Sequence, residues 1–250
     1  MIRFFLTSLA RYGGLVFLIL VSGCYAMNRY SPEQFFHGTQ LSLARAIVSK
    51  NVADVAKKAS DTTLNEPGEH DMTLLYFALQ QAEDRKNKEL EIISQLIKAG
   101  ADPLQDVPDM GSVAEIVAAS PHPAFMNALI DGGMNVNEKV QGQPLLHDAA
   151  SDDTLNTLAL MVNRGADVNA SDSLGKSTVM AALDGMQLDT VEWLLKHGAN
   201  PNAVETNTGW SFMRQLDDVM KRNKGDKGTT QNKLREILKL AKQKGGYTDF

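Results

Sequence analysis

Apolar and polar positions along this chain fall into short blocks, and one block recurs at a nearly constant interval. Paired aliphatics are followed by two polar or small residues, a Gly, a further residue and then Asp or Asn. The copies are Leu96-Ile97-Lys98-Ala99-Gly100-Ala101-Asp102, Leu129-Ile130-Asp131-Gly132-Gly133-Met134-Asn135, Met161-Val162-Asn163-Arg164-Gly165-Ala166-Asp167 and Leu194-Leu195-Lys196-His197-Gly198-Ala199-Asn200. Their glycines Gly100, Gly133, Gly165 and Gly198 are separated by 33, 32 and 33 residues. Two aliphatics close the last turn of a helix against a core, and a Gly after them takes the left-handed conformation that ends the helix without a Cβ penalty. Asp or Asn two residues on hydrogen-bonds its own backbone and sets the next turn. A period of this size predicts stacked helical units whose apolar faces are buried against one another.

The first half of each unit lies upstream of its stop. The clearest copy is Gly142-Gln143-Pro144-Leu145-Leu146-His147-Asp148-Ala149-Ala150, with weaker ones at Gly111-Ser112-Val113-Ala114-Glu115-Ile116-Val117-Ala118 and Gly175-Lys176-Ser177-Thr178-Val179-Met180-Ala181-Ala182. Met72-Thr73-Leu74-Leu75-Tyr76-Phe77-Ala78 opens the unit that ends at Gly100. With both halves in place the chain resembles the ankyrin repeat, well over roughly residues 70–203 and weakly on either side. The resemblance implies an all-α solenoid of stacked helix-turn-helix units with short hairpin loops, about six repeats including degenerate caps.

Departures from the repeat are expected at its ends. Leu41 to Lys58 reads as a degenerate first helix pair, and Asp61 to His70 as a polar segment in place of a compact hairpin. Gln80 to Lys88 adds polar residues between two helices, so that unit should carry a longer loop. After Trp210 a helix is expected to about Val219, then a polar insertion over 221–231 and a last amphipathic helix from Asn232 to Lys244. Terminal units are atypical because one face meets water instead of a neighbour.

The N-terminus reads differently. Two arginines, Arg3 and Arg11, precede an apolar run from Gly14 to Val21 that is short for a membrane span, and small residues follow. That is the layout of a secretory signal over 1–23. Val21-Ser22-Gly23-Cys24 resembles a bacterial lipobox, which implies a lipidated Cys24, a tether over 24–37 and a repeat domain over 38–250. Cys24 is the sole cysteine, so a lipidated chain has no disulfide and rests on packing alone. Tyr25 stands where lipoproteins kept at the inner membrane commonly have Asp; by that resemblance the expected place is the outer membrane, facing the periplasm.

Charge and motifs narrow the function. Removing 1–23 leaves 23 of the 25 basic residues against 30 acidic ones, a net of −7, which disfavours nucleic acid. No nucleophile elbow, zinc-binding helix or phosphate loop is present; Gly175-Lys176-Ser177 imitates the end of such a loop, but Ala170 stands where its first glycine is required. An enzyme, a cofactor and a metal are therefore not expected. His147 falls where ankyrin repeats bridge neighbouring turns, and His197 falls at a helix C-terminus.

The resemblance implies that first helices and hairpin tips form the partner surface. On this sequence the tips carry Asp106, Asp109, Glu138, Lys139, Asp172, Glu205 and Trp210. The first helices add Phe77, Gln81, Glu115, Asp148, Asp152 and Asp184. A row of acids is either a solvated face or a surface that steers a basic partner; Trp210 is either an aromatic anchor or part of the terminal core. Lys221, Arg222, Lys224, Lys227, Lys233, Arg235, Lys239, Lys242 and Lys244, against Asp226 and Glu236, make the C-terminal end basic, which reads as the soluble outer face of a cap or as a face for anionic lipid.

An envelope lipoprotein with divergent ankyrin repeats resembles the immunity lipoproteins that accompany lipase effectors of type VI secretion systems. That resemblance implies a monomer that binds and neutralises a secreted phospholipase in the periplasm. The alternatives are a structural or adaptor lipoprotein with a resident envelope partner, and a hydrolase or peroxide-defence role that predicts turnover or cofactor binding by the purified domain.

Overall fold

The computed structural model describes residues 30–82, 85–225 and 228–248. The expected leader over 1–23 and Cys24 lie outside the described residues. The described chain divides into two compact units, one reaching to Ile116 together with Asp131–Gly133, the other made of Val117–Ile130 and the chain from Met134 onward.

The first unit contains α1 (Gly38–Val48), α2 (Val52–Ala59), α3 (Leu74–Gln81) and α4 (Asn87–Lys98), followed by a two-residue antiparallel hairpin, β1 (Asp106–Val107) and β2 (Gly111–Ser112), with Asp106 opposite Ser112. The division falls at the next pair, α5 (Val113–Ala118) and α6 (Pro123–Gly132). The second unit continues with β3 (Lys139–Val140), β4 (Gln143–Pro144), α7 (Leu145–Asp148), α8 (Leu155–Asn163), α9 (Thr178–Asp184), α10 (Leu188–Lys196), α11 (Phe212–Arg222) and α12 (Thr229–Gln243). Among the described residues this makes six helix pairs, as the resemblance with its degenerate caps implies.

Helix starts and stops follow local chemistry. The Asn51, Thr73 and Ser211 side chains each accept the N–H three residues on and so cap α2, α3 and α11, satisfying a donor that has no partner inside the helix. At the stops, Gly100, Gly133, Gly165 and Gly198 have φ of 102°, 112°, 98° and 100°. The N–H after each glycine donates to a carbonyl five residues back, as in Ala101 to Leu96 at 2.9 Å and Ala199 to Leu194 at 2.9 Å. The acid or amide that follows folds onto its own backbone: Asp102, Asn135, Asp167 and Asn200 each accept the N–H two residues later at 2.9–3.1 Å. A fifth stop at Gly245, φ 91°, has the same five-residue bond from Gly246 to Ala241. Tyr247 replaces the Asp or Asn there, so the sequence pattern hides it.

A further amide ties successive turns together within each unit. Asn137 donates to the Gly165 carbonyl and accepts from Asp167 N; Asn169 does the same with Gly198 and Asn200, and Asn202 with Gly245 and Tyr247. In the first unit Asn65, from the polar segment expected to replace a hairpin, clasps Gly100 and Asp102. Each clasp satisfies two backbone groups left over at a helix end.

Three boundaries differ from expectation. Within the tether expected over 24–37, the described part is folded: Pro32–Gln34 is a 3₁₀ turn, and Phe35 and Phe36 are buried at 7% and 0% exposure against Phe77. Aromatic side chains of this size add more by burial than a tether retains in entropy. At the other end α11 runs to Arg222 and α12 starts at Thr229, so the polar insertion is shorter than 221–231. Its flanking residues join the helices because Val219, Gln231 and Leu234 are buried. Of the polar stretch Gln80 to Lys88, expected as a longer loop, Gln80 and Gln81 belong to α3 and Asn87 and Lys88 to α4.

Candidate partner-binding surface

In the second unit three successive hairpins carry the surface: 139–144, 171–177 and 204–211, the last two closed by the bridges Ser171 to Ser177 and Val204 to Ser211. They brace one another. Lys139 Nζ donates to the Ser171 carbonyl at 2.8 Å, and Thr206 N and Oγ1 both donate to the Leu174 carbonyl, at 2.8 and 2.7 Å. A Cβ on Gly175 would stand 2.9 Å from Thr206 N, so this close approach, together with φ of +80°, requires glycine there. His147 Nε2 lies 3.4 Å from the Ala170 carbonyl and bridges neighbouring turns as the sequence predicts.

The acids expected to face a partner are mostly engaged within the protein. Asp172 accepts from Leu174 N and Lys176 N and shapes its hairpin. Asp152 accepts Thr190 N and Thr190 Oγ1, both at 2.8 Å, and caps the first turn of α10. Asp148 accepts Gln143 Nε2. Lys176 Nζ reaches Asp184 at 2.6 Å and Glu205 at 3.6 Å, and Gln215 Nε2 also donates to Asp184. Partial burial works against the Lys176 ammonium, but the Asp184 hydrogen bond and the charges of Asp184, Glu205 and Asp172 outweigh it and hold its pKa above the usual lysine value. Glu205 is 9% exposed and accepts the Thr208 hydroxyl. Glu138 is half-buried, and its carbonyl accepts Leu145 N.

Beside polar side chains such as Lys139, Gln141, Ser173, Thr206 and Thr208, the hairpins present two aliphatics and an aromatic ring to water. Leu174 and Val204 are each 48% exposed, and Trp210 is half-exposed with the Arg214 guanidinium 4.8 Å from its ring centroid. Trp210 is thus neither wholly core nor free: a cation holds its ring in one orientation. Leu174 lies on the tip expected over Ser171 to Leu174, whereas Val204 was not legible as a surface residue, since an aliphatic in a repeat reads as core until its neighbours are placed. Lys176 was missed as a hub because Asp184 and Glu205 lie on other elements.

The remaining expected residues belong to the first unit. Asp106 and Asp109 are exposed on the β1–β2 hairpin, Asp109 with φ 63° at its turn. Gln81 donates to the Tyr30 carbonyl at 3.3 Å. Glu115 forms a capping box: one oxygen accepts Ser112 N and Ser112 Oγ, while Ser112 Oγ accepts Glu115 N. The Ser-x-x-Glu spacing carried that signal. Phe77 is wholly buried in α3 and presents nothing to a partner, because its ring fills the space between Phe35 and Phe36.

Burial pushes the His147 imidazole below its usual pKa of 6.5, against the opposing pull of the Ala170 carbonyl and Asp172. Above that value both folded and unfolded states are neutral and stability is fully present. As pH falls through 6.5 the unfolded chain takes a proton that the folded site resists, so stability declines, by at most roughly 1.4 kcal/mol per pH unit. His147→Gln should flatten that decline when urea midpoints at pH 7.5 and 5.5 are compared with those of the wild type; equal slopes would remove His147 as its source.

Among the described residues no helix is long and apolar enough to cross a membrane, and no group of His, Cys, Asp or Glu is placed to hold a metal ion. Helix pairs joined by braced hairpins, with an apolar ridge on the tips, define a repeat scaffold for binding proteins. The family model for ankyrin repeats matches residues 114–205 in three copies, and the described chain has the ankyrin-repeat fold. It is similar to the B-cell lymphoma 3 protein homolog of Mus musculus, 31% identical over 121 residues, which is 45% of this chain and 27% of that protein. It is also similar to the E3 ubiquitin-protein ligase KEG of Arabidopsis thaliana, 25% identical over 136 residues, 53% of this chain and 8% of that one. The chain thus spans a small part of either relative. In structure it resembles the ankyrin repeat domain of Bcl-3, with TM-score 0.63, 23% identity and coverage of 84% and 88% of the two chains. An ankyrin repeat domain from Acinetobacter baumannii AYE has TM-score 0.58, 21% identity and coverage of 82% and 98%. At these identities the structures speak for the fold.

Proposed function

We propose that this protein is a periplasmic lipoprotein, held at the outer membrane through Cys24, that binds and neutralises a phospholipase effector delivered by type VI secretion. The observation that carries the binding role is the hairpin ridge of the second unit, where Leu174, Val204 and the Arg214-backed Trp210 face water while the acids beneath are held by internal bonds. A surface braced before binding loses little entropy on association, which is what a tight inhibitor needs. The lipase and the compartment rest on the resemblance of the leader, Cys24 and the repeats to immunity lipoproteins.

The test uses residues 25–250, since the described packing begins at Tyr30. Partners are captured from an envelope lysate, and the strongest is assayed for lipase activity with and without the domain. Inhibition at one-to-one stoichiometry supports the reading, and Trp210→Ala or Leu174→Asp should then weaken binding by about 2 kcal/mol or more, roughly 30-fold. Capture of resident envelope proteins alone, with no lipase affected, overturns it in favour of an envelope adaptor.

A further inference from the structure

We propose that the outer face of α12 docks on an anionic bilayer surface. The inner face of this helix is closed: Leu234, Ile237 and Ala241 are fully buried. The opposite face carries Arg235, Lys239 and Lys242, all exposed, which with Leu238 and Gln243 line a shallow open groove. At steps of four and three residues the three cations share one side of the helix and spread over roughly 10 Å of its length.

Among the described residues none of the three is in an ion pair, although the exposed Glu236 lies on the same helix, whereas three nearby cations are paired. Lys233 is paired with Asp189 and Glu192, each at 2.5 Å, Lys221 with Asp217 at 2.5 Å, and Arg222 with Asp218 at 2.8 Å. Among the described residues Arg235, Lys239 and Lys242 have no acidic partner, and Arg235 donates to Asn232 Oδ1 at 3.0 Å. The helix dipole accounts for a cation in the last turn, such as Lys242, but not for Arg235 or Lys239 in the middle. The chain as a whole has a net charge of −5, so a cationic stripe here runs against the composition. Because the cations span a face and not a pocket, one phosphate cannot meet all three, while a plane of headgroups can. Half-buried Leu238 between them offers aliphatic contact at the same depth.

Lys or Arg near an anionic surface contributes about five-fold in partitioning, so three predict on the order of a hundred-fold preference. The proposal is independent of the protein partner. Its test is co-sedimentation of residues 25–250 with vesicles of phosphatidylcholine alone and of phosphatidylcholine with phosphatidylglycerol in equal parts. Selective binding to the anionic vesicles is expected, lost in the triple variant Arg235→Gln, Lys239→Gln, Lys242→Gln. It should also be lost on raising salt from about 0.1 M to about 1 M, where the screening length falls from about 10 to about 3 Å. Removing three exposed charges elsewhere, Lys57→Gln, Lys88→Gln and Lys98→Gln, should leave binding intact, and thermal melting by circular dichroism verifies that both variants are folded. Equal binding to both vesicles, no binding, or retention by a folded triple variant overturns the proposal, as does binding of duplex DNA without binding of vesicles.

Discussion

Replacing Phe77 by alanine is expected to destabilise the first unit by about 3–5 kcal/mol, the range for deleting a large aromatic from a packed core. Phe77 is 0% exposed, its ring edge-on to Phe36 at 5.4 Å and 87° and tilted against Phe35 at 6.3 Å. Such ring pairs contribute beyond the area they bury, and the cavity left behind cannot close without moving α3. Urea unfolding should show a lower midpoint, with the slope unchanged if the denatured state is unaffected. A partner-binding role for Phe77 makes the opposite prediction, weaker binding at unchanged stability.

Starting the chain at Gly38 instead of Tyr30 should cost roughly 3–6 kcal/mol, from two buried phenylalanines at about 1.5–3 kcal/mol each. Phe35 and Phe36 leave with that segment, and so does the 2.8 Å hydrogen bond from Glu69 N to the Phe35 carbonyl. The fit is close enough that a Cβ on Gly68 would stand 2.2 Å from the Phe35 carbonyl oxygen. The exposed pair of Glu33 and Arg45 adds little. Thermal unfolding of the two chains settles the role of the segment: coincident curves would make 30–37 a tether, and a large drop makes it a structural cap.

Both expectations turn on what could be read in advance. The stops at Gly100, Gly133, Gly165 and Gly198 were legible because each is a short-range device: a left-handed glycine, a bond five residues back and an acid or amide folded on its own backbone. The Glu115 capping box was equally local, and its spacing could have been read. The site was less legible. Asp148, Asp152, Asp172, Asp184 and Glu205 stand where a partner surface is expected, but whether an acid faces solvent depends on groups far along the chain. For Asp152 that group is Thr190, and for Asp184 it is Gln215.

By itself, then, the sequence determined the repeat period, the helix stops, the pairing of helices and the class of protein, because these follow from rules acting within a few residues. Only the tertiary structure decided which acids are scaffold, that Val204 faces water, that Phe77 does not, and that Phe35 and Phe36 close the first unit. The physical reason is that burial and hydrogen-bond partnership belong to a side chain's neighbours in space. Those neighbours come from the adjacent repeat, about one period away, where no local pattern reaches.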